Sequence, residues 1–534
     1  MMFLQRDLGT SVPMRLYKMT KCCMFVVIVI FVLIIGSSVI FGVVGPNVSH
    51  RFTTSASNHP SSPISEATVY QVDSPPLSVF HRELWLSAVV SRAPLEQDAK
   101  VSVNLNTSIK VQIPLQFAVA NTESKAFKPL SDDKSSLAQM GPIHNRTIQV
   151  NCPETLCDEI FLFHLIPIDF TIYKFSLSFN HELTSDFNDE NYQRKYIFSI
   201  MNMDFIFQYY TVEFTYMELI VKFILFIISE VITIWFYISM KKFSVCYWTT
   251  EQCCMAILLP LLILYNNPLY PLQYLTTNWF PTCLGYFFQV TFVFTLLLVW
   301  LCIFHGIRVS NRTFQKFYLP KISFIGIFWL VIFLIITWKT YVEYHEPMFD
   351  ILEYTELLIF VVVFLTLFVL IYVVLFAVLF IRACHKIRKL PYFNLRLYFL
   401  TFLSAIFVSV LAIICLVHFN RKFYSQTLHY FNSKMYPQSH HQQHQQQNHP
   451  TFLGLHLLNG ILAYHSAFEF AIIQFTVNAY IIILAFVYSP PNNTQIEMDV
   501  KDDPSLSMIN DSDEDVMYES DTETKTFLFA QHKQ

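Results

Sequence analysis

A chain of 534 residues that is 54% hydrophobic and only 14% charged departs from soluble domains, where roughly 45–50% is apolar and about 25% charged. Its net charge of −4, with 53 Phe and 10 Gly, lacks the basic surplus that a nucleic-acid partner demands. No phosphate loop, nucleotide fingerprint or nucleophile elbow occurs in it, no cofactor is implied, and membrane lipid is the expected surrounding of its apolar surface.

Residues 1–21 form a basic N-terminus ending in Lys18 and Lys21. The apolar run 22–44 exceeds the 7–15 residues of a signal-peptide core and is long enough to span a bilayer, so it reads as a retained anchor. Residues 45–216 differ in composition. The Ser/Thr/Pro-rich stretch 50–78 reads as a linker. Segments 83–91, 101–117, 147–152, 159–166, 170–180 and 196–207 then have strand character. Polar and apolar residues alternate in Ser108-Ile109-Lys110-Val111-Gln112-Ile113 and in 170–179, as on half-buried sheets. Six or seven such strands predict a lumenal or extracellular β-sandwich. Its last strand runs almost directly into the next helix, so the domain should sit close on the membrane. Asn47, Asn106 and Asn145 begin glycosylation signals in it. Of 11 cysteines, nine lie in or beside apolar segments. Cys152 and Cys157 stand apart and read as one short disulfide, with two free thiols as the alternative.

Residues 217–488 hold seven further spans, near 217–240, 253–270, 283–305, 322–342, 354–381, 396–418 and 461–488. The span containing Pro260 and ending in Asn266-Asn267-Pro268 is expected to be short or kinked. With both termini in the cytosol, cytosolic segments carry fifteen Lys/Arg and the opposite short loops four, as the positive-inside rule requires. Ionisable and amide side chains inside spans are costly and often functional. Glu230 lies mid-span, and Glu469, Gln474 and Asn478 lie in the last span. Together they are candidates for an inter-helix ligand pocket, with a purely structural role as the alternative for Glu230. Lys222, about 12 Å along the axis from Glu230, is expected to snorkel outward. His440, His441, His444 and His449 belong to a His/Gln-rich insert, 438–449, which reads as a disordered polar tract rather than a metal site. Tyr392 and Leu395 fit a tyrosine-x-x-hydrophobic sorting pattern. The acidic tail 489–534 sets Ser512 and Ser520 before carboxylates, where phosphate would add about −1.5 to −2 charge each. Cytosolic sorting machinery is the partner expected for both.

Several stretches carry a family resemblance. They are Met14-Arg15-Leu16-Tyr17, Glu83-Leu84-Trp85-Leu86, and the run Leu258-Leu259-Pro260-Leu261-Leu262-Ile263-Leu264-Tyr265-Asn266-Asn267-Pro268. Trp300-Leu301-Cys302-Ile303-Phe304-His305-Gly306, Phe317-Tyr318-Leu319-Pro320-Lys321 and Ala485-Phe486-Val487-Tyr488-Ser489-Pro490 follow. The chain resembles the Wntless-like, GOLD-domain seven-transmembrane family, and within it the transmembrane protein 181 branch. The insert 438–449 departs from that pattern, and Glu230 is not carried over from it. The resemblance implies a multi-pass α-helical protein of one plus seven transmembrane helices with a GOLD-like β-sandwich. It also implies a cargo-sorting or receptor-like protein of Golgi, endosome or plasma membrane that binds a secreted or lipid-modified ligand. The alternative is a cell-surface receptor for an extracellular protein or toxin, with or without G-protein-type signalling. Asn267-Pro268-Leu269-Tyr270 is one residue short of the receptor motif Asn-Pro-x-x-Tyr, so signalling rests on helix count alone. No pairing of catalytic groups stands out, and the chain is read as a non-enzyme.

Overall fold

The computed structural model describes residues 12–55, 67–92, 109–121, 139–140, 144–152, 157, 159–180, 183–185, 196–198, 200–306, 313–347, 349, 354–387, 398–414, 464 and 466–491. Eight main helices lie among them: α1 (Lys21–Val44), α2 (Val212–Lys241), α3 (Thr250–Tyr265), α4 (Phe280–Gly306), α5 (Leu319–His345), α6 (Thr355–Ile387), α7 (Tyr398–Ile414) and α8 (Ala467–Tyr488). Six are long and apolar enough to cross a membrane; α3 and α7 are shorter. At 1.5 Å per residue α3 is about 24 Å long, below the ~30 Å hydrocarbon thickness. It contains Pro260 and ends at Asn266, as its sequence predicted.

Among the described residues, eleven strands lie in the domain between α1 and α2. They are β1 (Ser49–Ser55), β2 (Ala67–Asp73), β3 (Leu84–Arg92), β4 (Ile109–Asn121), β5 (Gln139–Met140), β6 (His144–Cys152), β7 (Ile160–Leu165), β8 (Tyr173–Asn180), β9 (Leu183–Ser185), β10 (Tyr196–Phe198) and β11 (Ile200–Tyr210). One antiparallel sheet runs β1-β11-β3-β7; a second runs β2-β8-β4, with β5 and β6 also on β4. Alternate residues fill the space between them. Leu84, Leu86, Ala88 and Val90 of β3 meet Met203, Phe205 and Phe207 of β11, and Tyr173, Phe175 and Leu177 of β8 face them. This period of two follows from the pleat, and each large side chain buried so contributes about 1.5–3 kcal/mol.

The expected linker is corrected: residues 50–78 contain all of β2 and all of β1 but its first residue, Ser49. β1 forms a sheet edge and is exposed along nearly all its length. Its Ser/Thr composition reflects that exposure and conceals the strand from an alternation search.

The opposite face of the first sheet rests on the helices. Trp85 and Tyr210 pack with Val48, Phe214, Val221, Leu225, Phe349 and Phe470. β11 passes into α2 through Thr211, whose hydroxyl accepts from the Phe214 N–H at 3.4 Å and whose N–H donates to Val48 O. α2 therefore starts five residues earlier than its hydropathy indicated, as a continuation of the strand.

α8 is buried around most of its circumference. α1 lies against it where Gly42 and Gly45 permit close approach. A Cβ on Gly42 would sit 2.5 Å from Phe468 Cα, and one on Gly45 would sit 2.7 Å from Ala467 Cβ. At the end of the bundle away from the sandwich, Arg15 N–H donates to Ser489 O at 2.8 Å and its Nε to Pro490 O at 3.2 Å. The guanidinium lies 5.4 and 5.0 Å from the Trp235 and Phe486 rings. Two stretches far apart in sequence, 14–17 and 485–490, thus meet in space.

Candidate ligand site

The short turn Val79–His81 precedes β3 and is closed by the Ser78 N–H donating to His81 Nδ1 at 2.8 Å. The chain leaves it at Arg82 with φ 62, a left-handed conformation that side-chain-bearing residues rarely adopt and that tends to mark functional sites. The Arg82 guanidinium then reaches Glu83 at 3.3 Å, Glu218 of α2 at 3.9 Å and the face of Tyr210 at 5.1 Å. Glu83 also holds His164 at 3.2 Å. The His164 ring is buried and stacks on Trp85 at 5.1 Å, and its backbone N–H donates to Pro347 O, between α5 and α6, at 2.7 Å. Thr215 of α2 donates to Phe80 O at 2.8 Å. Sandwich and bundle are therefore joined by buried hydrogen bonds as well as by apolar contact.

Two pairs on the helices extend the polar layer. Glu218 and Lys222 meet at 2.7 Å, as do Lys339 and Glu343 of α5; all four are buried and spaced i, i+4. Lys222 Nζ also lies 3.5 Å over the Tyr270 ring. Three cations, Arg82, Lys222 and Lys339, thus balance three carboxylates, Glu83, Glu218 and Glu343. Such balance is the condition under which buried charge is tolerated.

Burial works against ionisation of Glu83, but the His164 hydrogen bond and the charges of Arg82 and Lys339 outweigh it and hold the carboxyl below its usual range. Burial likewise opposes the charge on Arg82, and Tyr270, Glu83, Tyr210 and Glu218 outweigh that in turn. A carboxyl with a lowered folded pKa adds stability above its unfolded value, about 4.5, and loses it as pH falls through the folded value. The melting temperature of Glu83→Gln should accordingly lie below that of the natural chain at neutral pH. The gap should close as pH drops below the ordinary carboxylate range.

Between the two domains lies a cleft of about 150 Å³. Arg82, Glu83 and Trp85 wall it from the sandwich, and Tyr286, Thr340 and Glu343 from the helices. Asp169, Leu275 and Thr277 form an exposed rim.

Deeper in the bundle, Asn266 at the end of α3 is fully buried. Its Oδ1 accepts from Gln474 Nε2 at 2.8 Å and Asn478 Nδ2 at 3.0 Å. Its Nδ2 lies within reach of Asn478 Oδ1 at 2.8 Å, Leu225 O at 3.2 Å and Ser229 Oγ at 3.3 Å. Asn267 follows with φ 49 and packs on Gly285, where a Cβ would lie 2.8 Å from its Nδ2. Asn266→Ala would take away the partner of Gln474 Nε2 and of Asn478 Oδ1 and leave Asn478 Nδ2 only the Gln474 carbonyl at 2.8 Å. We expect a loss on the order of 2 kcal/mol in bundle stability, read as a lower melting temperature of the detergent-solubilised protein.

Of the residues singled out from sequence, Gln474 and Asn478 meet at this hub. Glu469 is buried in the first turn of α8, its N–H donating to the Ser466 cap at 3.1 Å. Glu230 does not line a pocket with them. It faces outward with Ile227, Ile228, Val231 and Ile234, while its neighbour Ser229 faces the hub. The inward stripe of α2 runs through Glu218, Lys222, Leu225, Ser229, Thr233 and Phe236, and Glu230 falls about 100° off it. Lys222 is likewise corrected: it does not snorkel outward but pairs with Glu218. Asn47 is exposed, and its carbonyl accepts from Thr211 Oγ1. Asn145 stands in β6 opposite Gln116. Cys157 is buried and disulfide-bonded; Cys152 ends β6, and its side chain lies outside the described residues, as does that of Asn145. Asn106, Tyr392, Leu395, Ser512, Ser520 and the insert 438–449 also lie outside the described residues. Sequence reasoning missed Arg82, Glu83, Glu218, Lys339, Glu343 and Asn266. The i, i+4 spacing of Glu218–Lys222 and Lys339–Glu343 within apolar runs was the available signal.

Comparison with known proteins matches this architecture in two parts. Residues 68–210 match a family model described as the TMEM181 GOLD domain. Residues 211–492 match one described as the Wntless-like transmembrane domain. The human protein named Transmembrane protein 181 is 33% identical over 512 residues, which cover 96% of this chain and 94% of that protein. The chain is thus a multi-pass integral membrane protein with a GOLD domain, and it belongs to the transmembrane protein 181 branch of the Wntless-like family.

Proposed function

We propose that this protein captures a secreted or extracellular ligand where the GOLD domain meets the helices, and carries or presents it as a cargo-sorting, receptor-like membrane protein. The observation that supports this best is the cleft, held open at its rim between two domains that a balanced ionic layer locks together. Its walls are mixed, with Arg82, Glu83, Thr340 and Glu343 beside apolar side chains such as Val79 and Ile168, and its volume, about 150 Å³, is below the ~300–1,000 Å³ of ordinary small-molecule pockets. That favours a small part of a larger ligand over a buried acyl chain. We read the protein as a non-enzyme, because the titratable groups around the cleft are tied into ion pairs rather than set as nucleophile beside base.

In this reading the sandwich faces the lumen or exterior, both termini face the cytosol, and Tyr392, Leu395, Ser512 and Ser520 address the protein to sorting machinery of Golgi, endosome and plasma membrane. Exposed Asn47 then carries glycan. Enzymatic glycan removal should shift the electrophoretic mobility of the natural protein, and by less in Asn47→Gln; no shift in either would place the sandwich in the cytosol. The functional test is proximity labelling from the sandwich in secreting cells, combined with localisation. Recovery of one or a few secreted proteins, cycling with this protein between Golgi and surface, is expected. Recovery of resident membrane proteins alone would contradict the reading.

A further inference from the structure

We propose that this protein pairs with a second copy of itself along the outer face of α2, with Glu230 of the two copies joined in the middle of the membrane. Glu230 is exposed, and no partner reaches its carboxyl among the described residues. It lies about 16 Å along the axis from Lys241, the exposed last residue of α2, half of the ~30 Å hydrocarbon thickness. Ionisable side chains at that depth almost always turn into the protein. Among the described residues Glu230 is the one such side chain that faces outward in the middle of a span.

The face around it has the pattern of a helix–helix seam. Ile220, Phe223, Ile227, Glu230, Ile234 and Tyr237 follow one another at alternating steps of three and four residues. All six are exposed, the other five by 38–64%. That spacing is the seam of a two-helix coil, with Ile at each a position and one polar residue to set the register. Apolar exposure alone drives nothing in lipid, where association rests on packing and on interhelical hydrogen bonds. Glu230 supplies the hydrogen bond.

The identity of the partner follows from that carboxyl. An uncharged carboxylic acid has one O–H donor and one carbonyl acceptor, so two of them satisfy each other through a pair of O–H···O bonds. Copies of one chain insert in the same orientation. Their α2 helices are therefore parallel, and Glu230 meets Glu230 at one depth. Among the described residues, the outward faces of the other helices carry no basic group at this depth. A contact between unlike faces would thus leave the carboxyl without a charge to meet, whereas a two-fold contact is self-complementary and closed. This pairing does not depend on ligand capture.

The test uses the full-length protein in phosphatidylcholine vesicles and fluorescence transfer between donor- and acceptor-labelled copies. The natural chain should dimerise. Glu230→Leu should weaken pairing about three- to tenfold, the worth of one polar contact between helices in lipid. Glu230→Gln, whose amide also donates and accepts, should retain it. Glu230 points away from the bundle core, so both variants should melt like the natural chain. Oxidation of Ile234→Cys should link two copies above the background set by the natural cysteines, while Val363→Cys, exposed on α6, should not. A monomeric natural chain, Glu230→Leu pairing as tightly as the natural chain, or equal linking at both positions would overturn the proposal. Links from Ile234→Cys to a different membrane protein alone would overturn it too.

Discussion

Replacing Glu218 with alanine is expected to destabilise the full-length protein by about 3–5 kcal/mol, the cost of leaving buried charge unpaired. Glu218 is 3% exposed and Lys222 4%. Its two oxygens face Lys222 at 2.7 Å and Arg82 at 3.9 Å. Without it, Lys222 keeps only the Tyr270 face, and Arg82 keeps Glu83 alone as a carboxylate partner among the described residues. The decisive comparison is with the double variant Glu218→Ala, Lys222→Met. Removing both charges spares the desolvation of the orphaned ammonium, so the double variant should melt above the single one. If Glu218→Ala alone melted like the natural chain, the polar layer would not be holding sandwich to bundle.

Replacing Gly42 with leucine should have an effect of similar size by a different route. The first added carbon would already lie 2.5 Å from Phe468 Cα and 3.3 Å from Ala467 O. Both are backbone atoms, which cannot swing aside as a side chain can. α1 must therefore separate from α8, exposing the faces that bury Phe31 and Tyr480, whose rings lie 6.4 Å apart. Overpacking ordinarily costs about 1–3 kcal/mol; here a helix–helix seam parts along its length, and we expect retention of the variant early in secretion. Gly36→Leu on the same helix is the control, since an added Cβ there meets nothing within 4 Å. Surface delivery should fall for Gly42→Leu and persist for Gly36→Leu.

How much of this was legible in the sequence depended on the kind of signal. Apolar run length located all eight helices, because spanning a bilayer fixes a minimum length. Strand character located β3, β4, β6, β7, β8 and β11, with clear alternation in β4 and β8, because one face of each had to be apolar. β1 escaped because Ser49, Thr53 and Thr54 on an exposed edge look like linker, and β2 was passed over in the same Ser/Thr/Pro-rich stretch although its Tyr70 and Val72 are buried. The intramembrane amides were recognised as unusual, but their partner Asn266 was not. It sat in a stretch read as a possible kink, and hydropathy carries no information about which helix end reaches which neighbour. Glu230 misled for the opposite reason: a carboxylate in an apolar run draws notice whichever way it points, and the burial stripe that turns it outward is set by residues three and four positions away. Arg82 and Glu83 had no sequence signal, since their roles come from a left-handed backbone turn and from α2, more than 130 residues later.

The stretches carrying the family resemblance acquire a physical meaning in the fold. Leu258, Leu259 and Leu262 are fully buried in the bundle core, and Asn266 ties α3 to α2 and α8. Arg15 and the Ser489–Pro490 carbonyls close the opposite end. Trp300 donates to the Tyr480 hydroxyl at 3.1 Å, and Tyr480 in turn stacks on Phe407 at 4.3 Å. These stretches hold the seams between helices, which is why they are spread over the whole chain.

The most direct test of ligand capture at the joint is site-specific photocrosslinking in living, secreting cells. A photoreactive amino acid at Leu275, 78% exposed on the cleft rim, is compared with one at Val363, 60% exposed on the outer face of α6. Capture at the cleft predicts crosslinks to a secreted protein from Leu275 and none from Val363. Crosslinks from Leu275 to lipid alone, or the same products from both positions, would contradict it.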